Sequence, residues 1–92
     1  MSYKRINILY YGNVHGVGFR YTANGIASKL GLSGWVRNLP DESVEVVCEG
    51  EEEKLKQFLE MIKIEFPSPY IQREELTWEE PLKNVSSFRI KF

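Results

Sequence analysis

The residues best suited to chemistry lie in one stretch, Gly12-Asn13-Val14-His15-Gly16-Val17-Gly18-Phe19-Arg20. Glycines let successive backbone N–H groups converge on one point, and a helix that starts where such a loop ends adds unpaired donors and the positive end of its dipole. Arg20 supplies a planar fork of charged donors matched to a phosphate or carboxylate. The implied chemistry is capture of an oxyanion, phosphoryl above all, by Val14, His15, Gly16, Val17, Gly18, Phe19 and Arg20. Two common nucleotide loops fail on spacing. The pattern G-x-x-x-x-G-K-[ST] finds Val17 five positions after Gly12 and no lysine, and G-x-G-x-x-G finds Tyr21 where its last glycine belongs.

Other reactive side chains are few. His15, the only histidine, is a rival general base, but a side chain in a loop whose amides converge inward most naturally points away from the bound group. Cys48 alternates with Val44 and Val46 along a strand-like stretch and reads as a small buried hydrophobe. One cysteine and one histidine do not make a closed zinc site, and Glu51-Glu52-Glu53 reads as the solvated first turn of a helix, so no metal and no cofactor are expected.

The elements that must position this loop follow from periodicity. Lys4 to Tyr11 reads as a strand apolar on both faces, as an interior strand would be. From Phe19 the period becomes helical through Ala23, Ile26, Ala27 and Leu30, and Gly31 stands where a helix-ending glycine belongs. Gly25 interrupts that helix, and its missing side chain suggests close packing on the sheet. Ser33 to Leu39 and Val44 to Glu49 form a hairpin pair. Leu55, Phe58, Leu59, Ile62 and Phe66 mark an amphipathic second helix, stopped by Pro67-Ser68-Pro69. Ile71 to Glu80 reads as a charged edge strand, and Phe88, Ile90 and Phe92 alternate in a last strand.

The order β-α-β-β-α-β-β specifies an α+β sandwich with two helices on one face of a mostly antiparallel sheet. In that connectivity the end of the second strand returns to the rim that carries the glycine loop. Asn38 sits at that end, and Arg37, alternating with it, faces the other way.

Size and charge set the bounds. Residues 1–92 are enough for one domain with one core, and 42% apolar content with 13% aromatics is that of an ordinary globular protein. No stretch approaches the ~20 apolar residues that cross a bilayer, and the first residues lack a signal-like apolar run. A cytoplasmic monomer with no membrane partner is expected. Residues 1 to 40 carry five basic side chains and no acid, while the rest carry seven basic and thirteen acidic. The loop thus lies in the acid-free half, which favours a small anion, whereas the acidic remainder disfavours an extended nucleic-acid surface.

Gly12-x-Val14-His15-Gly16-Val17-Gly18-Phe19-Arg20, then Gly34-Trp35-Val36-Arg37-Asn38-Leu39-Pro40-Asp41-x-Ser43-Val44 and the closing Glu49-Gly50, closely resemble the two signature segments of the acylphosphatase family. The resemblance implies a ferredoxin-like fold and hydrolysis of a small acyl phosphate to carboxylate and inorganic phosphate without a metal. It also implies that Arg20 binds the phosphoryl group with the loop amides and that Asn38 orients the attacking water. His15 stands where glutamine is usual, and Glu42 where the hairpin turn usually has glycine. Two other functions use the same architecture. A non-catalytic phosphate-binding module needs only the loop, and an RNA-binding sheet needs an aromatic RNP1 segment that this chain lacks.

Overall fold

β-Branched and aromatic residues favour extended backbone near the start of the chain. In the computed structural model, which describes residues 2–92, β1 spans Tyr3–Gly12. It is followed by α1 (Phe19–Lys29), β2 (Ser33–Asn38), β3 (Val44–Glu51), α2 (Glu52–Glu65), β4 (Ile71–Glu79) and β5 (Phe88–Ile90). The strands form one sheet in the order β4-β1-β3-β2-β5. β3 runs antiparallel to both β1 and β2, β4 antiparallel to β1, and β5 parallel to β2. This is the expected α+β sandwich, with β1 in the interior and the charged β4 at an edge.

Ile6, Ile8 and Tyr10 of β1 point to the same face as Val36 of β2 and Val44, Val46 and Cys48 of β3, all fully buried. Against them lie Phe19, Ala23 and Ala27 of α1 and Leu55, Phe58 and Ile62 of α2. Burying each larger side chain contributes about 1.5–3 kcal/mol, which lets the domain hold together without a disulfide. α1 covers β2 and β5, and α2 covers β3 and β1. Gly31 ends α1 as its position predicts: at φ 74° it donates to the Ser28 carbonyl at 3.1 Å, while Leu32 N–H reaches Ala27 at 2.9 Å. Those are the two bonds of a Schellman cap.

Two expectations are corrected. Gly25 does not pack on the sheet. It is exposed, borders a groove of about 560 Å³ between the helices, and a Cβ there would meet nothing within 4 Å. Gly25→Ala is therefore expected to stabilise the fold by about 1 kcal/mol and raise Tm by about 4–8 °C, read by thermal unfolding. The last strand is also shorter than its alternation suggests. Ile90 pairs with Val36 and Lys91 N–H donates to the Val36 carbonyl, but β5 ends there, short of the Arg37 and Asn38 that β2 still offers in register, and Phe92 is 96% exposed.

Candidate active site

The loop between β1 and α1 is built from both of its ends. Val14 and Phe19 are buried to 1% exposure, and Phe19 stacks on Tyr10 and Phe66 with ring centroids 5.1 and 4.7 Å away. These two side chains pin the loop to the core. Between them Gly16 and Gly18 adopt φ 72° and 78°, left-handed turns that a side chain resists. Gly18 is the N-cap of α1, so Arg20 is the second residue of the helix. Among the described residues, no backbone carbonyl accepts from the N–H groups of His15 to Tyr21; the first to find one is Thr22, on Gly18. The loop and first helical turn therefore present free donors together with the helix's positive end.

Arg20 is half-buried and has no carboxylate partner among the described residues. Its guanidinium carbon lies 5.1 Å from the centroid of the exposed Phe92 ring, a neighbour that the sequence pattern placed in a strand instead.

Register brings Asn38 to the same rim. Tyr10 pairs with Val44, and Val44 pairs with Asn38. Asn38 is thus level with Tyr10, two strands or about 10 Å across the sheet. Side chains opposite one another share a face, so Asn38 points with Val44 toward the helices, where α1 begins. Its Oδ1 is buried and has no hydrogen-bond partner among the described residues. Arg37 lies on the other face, exposed, with its Nε 2.7 Å from Glu45 Oε1. Cys48 is buried at the sheet centre, where burial pushes its thiol well above the usual range, and it is no nucleophile.

The β2–β3 turn, Leu39 to Ser43, completes the rim. Ser43 accepts from Leu39 N–H at 2.9 Å through its carbonyl, and its own N–H donates to Asp41 Oδ1 at 3.0 Å. The Ser43 hydroxyl and N–H together hold the Asp41 carboxyl below its ordinary pKa. His15 Nε2 lies 2.9 Å from that same Ser43 carbonyl, a contact across 28 residues that no local sequence signal announces. Glu42 sits at φ 70°, in the left-handed region that explains why glycine is the usual residue. Glu42→Gly is expected to stabilise the fold by roughly 0.5–1 kcal/mol in urea unfolding, since a side chain there costs about 1 kcal/mol or more.

A glycine loop, an unpaired arginine and a buried amide oxygen now stand on one rim, and the Acylphosphatase family model matches residues 6–90 of the chain. The chain belongs to the acylphosphatase family. An acylphosphatase from Thermococcus kodakarensis is 40% identical over 90 residues, which cover 98% of either chain. The crystal structure of acylphosphatase from Bacillus subtilis matches with a TM-score of 0.89 at 35% identity, covering 97% of this chain and 99% of that one. The structure of an acylphosphatase from Coxiella burnetii gives 0.85 at 29% identity, over 97% and 93% respectively. Acylphosphatases hydrolyse acyl phosphates, and this chain is an enzyme of that class.

Proposed function

We propose that Arg20 and the free amides of residues 14 to 20 hold the phosphoryl group of an acyl phosphate while Asn38 orients the attacking water. The observation that carries this reading is Asn38 Oδ1, a buried acceptor without a partner among the described residues, at the rim where Arg20 lies in the first turn of α1. A buried amide oxygen left unmatched costs about 1–3 kcal/mol, and a water that donates to it removes that cost.

The water oxygen attacks phosphorus, the bond from phosphorus to the acyl oxygen breaks, and a carboxylate leaves with the bonding pair. The water's proton passes to a phosphoryl oxygen, because an amide is too weakly basic to take it. Charge spread over the equatorial oxygens meets the guanidinium and the amide donors. The weakly basic carboxylate needs no general acid, so the reaction proceeds without metal or cofactor. Residues 1 to 92 act as one domain and as a monomer, in the cytoplasm, where a single buried thiol is at home. Substrate and product are the acyl phosphate and inorganic phosphate, with neither a nucleic-acid nor a membrane partner.

The test is hydrolysis of benzoyl phosphate by the purified chain in the presence of a chelator. Turnover well above the spontaneous rate, competitively inhibited by inorganic phosphate, is expected. A parental rate equal to the spontaneous one, with phosphate still raising Tm, would replace the hydrolase with the binding module.

A further inference from the structure

His15 ties together two parts of the site that are separate in the chain. Its Nε2 lies 2.9 Å from the Ser43 carbonyl, and that carbonyl also accepts from Leu39 N–H at 2.9 Å. Leu39 follows Asn38 directly, so Ser43 O holds the peptide unit that joins Asn38 to Leu39 on one side and the phosphate loop on the other. Ser43 is itself fixed: it is 1% exposed, and both its N–H and its hydroxyl donate to Asp41 Oδ1. A carbonyl only accepts, so Nε2 carries a hydrogen and donates. A nitrogen engaged in that way cannot take a proton from water.

We propose that His15 is a positioning residue, whose hydrogen bond to Ser43 fixes the separation between the phosphate cradle and the Asn38 side chain. The inference rests on the roles of Arg20 and Asn38 proposed above. In-line attack requires the water on Asn38 to stand at a set distance from a phosphorus held by the loop, and these two holders sit on different elements. Each remains intact without His15, the loop through Val14 and Phe19 in the core and the turn through Asp41. Cutting the bond therefore misplaces one against the other without dismantling either. A glutamine here, the residue usual in the family at this position, carries an amide N–H that can make the same bond.

The experiment compares His15→Leu, His15→Asn and His15→Gln with the parent, reading kcat and KM for benzoyl phosphate, the inhibition constant of inorganic phosphate, and Tm. His15→Leu removes the donor, and His15→Asn is one methylene shorter than glutamine. Both are expected to lower kcat about 10- to 100-fold while the phosphate inhibition constant stays within about twofold, the signature of misplacement by a fraction of an ångström to one ångström. His15→Gln is expected to restore kcat to within about threefold of the parent, which also excludes histidine as general base. The proposal is overturned if His15→Leu and His15→Asn keep the parental kcat, if kcat, phosphate affinity and Tm fall together, or if glutamine gives no rescue. A parent without turnover overturns the hydrolytic reading itself, whereas an active parent that loses activity in Arg20→Gln but not in His15→Leu overturns this inference alone.

Discussion

Arg20→Gln is expected to lower kcat/KM for benzoyl phosphate by about 10³-fold or more, with Tm almost unchanged. The two halves of that result have separate causes. Arg20 has no carboxylate partner among the described residues, so its removal leaves no buried charge unpaired, and a half-exposed site of this kind changes stability by about 0.5 kcal/mol at most. In the proposed arrangement its charge and bidentate fork face the phosphoryl group in both the ground state and the transition state, so inhibition by inorganic phosphate is expected to weaken as well. Lysine should not rescue it, because a point charge cannot reproduce the planar fork. Asn38→Ala separates the second role from the first. Its Oδ1 touches water, not phosphate, in the proposed arrangement, so kcat falls about 10²- to 10³-fold while phosphate inhibits as before. Steady-state kinetics with phosphate inhibition read both variants. Equal loss of phosphate affinity in both would leave Asn38 with no separate role in orienting water.

Local features of the site were legible in the sequence because they obey short-range rules. Gly16 and Gly18 stand where left-handed backbone is needed, Gly31 caps α1, and alternation along β2 separates Asn38 from Arg37. The fold followed as well, since β1, α1 and α2 have apolar patterns with unambiguous periods. What escaped depends on the relative placement of elements. A helical pattern identifies a buried stripe through Ala23, Ile26 and Ala27, but it does not show that the adjacent Gly25 opens onto a groove and not onto the sheet. Phe92 continues the alternation of Phe88 and Ile90 and has Asn38 of β2 in register beside it, yet β5 ends at Ile90 and the Phe92 ring lies by Arg20 instead. The bond from His15 to Ser43 requires the rim to be assembled before it exists.

Glu49 is the clearest case of a residue whose place only the assembled sheet reveals, and it carries the largest expected effect on stability. Alternation along β3 puts it on the face away from the helices, where a glutamate would ordinarily meet solvent. It is instead completely buried, because the segment after β4 crosses that face: Leu82 N–H donates to its Oε2 at 2.9 Å and Lys83 N–H to its Oε1 at 3.1 Å. Arg5, on the neighbouring strand and paired with Glu49 in register, closes the cluster at 2.5 Å. Burial pushes the carboxyl pKa up, but the Arg5 guanidinium and the two backbone donors outweigh it and hold the value below the ordinary one. Glu49→Gln would turn an amide N–H toward at least one of these donors and leave the buried Arg5 with only the partly exposed Glu79 carboxylate, 3.3 Å from its Nε, so a loss of about 3 kcal/mol is expected in urea unfolding. Removing both partners in Arg5→Met/Glu49→Leu should cost less than the two single changes added together, as coupled charges require. The sign of the pH effect follows from the depressed pKa. Stability from Glu49 is fully present above its unfolded value of about 4.3 and is lost as pH falls through the lower folded value. The parent should therefore show a steeper acid limb than Glu49→Gln. The cost reaches the site as well, since the anchored segment leads into β5, which pairs with β2 and backs the strand that ends at Asn38. A variant with parental stability and an unchanged acid limb would show that the buried pair contributes nothing net to the fold.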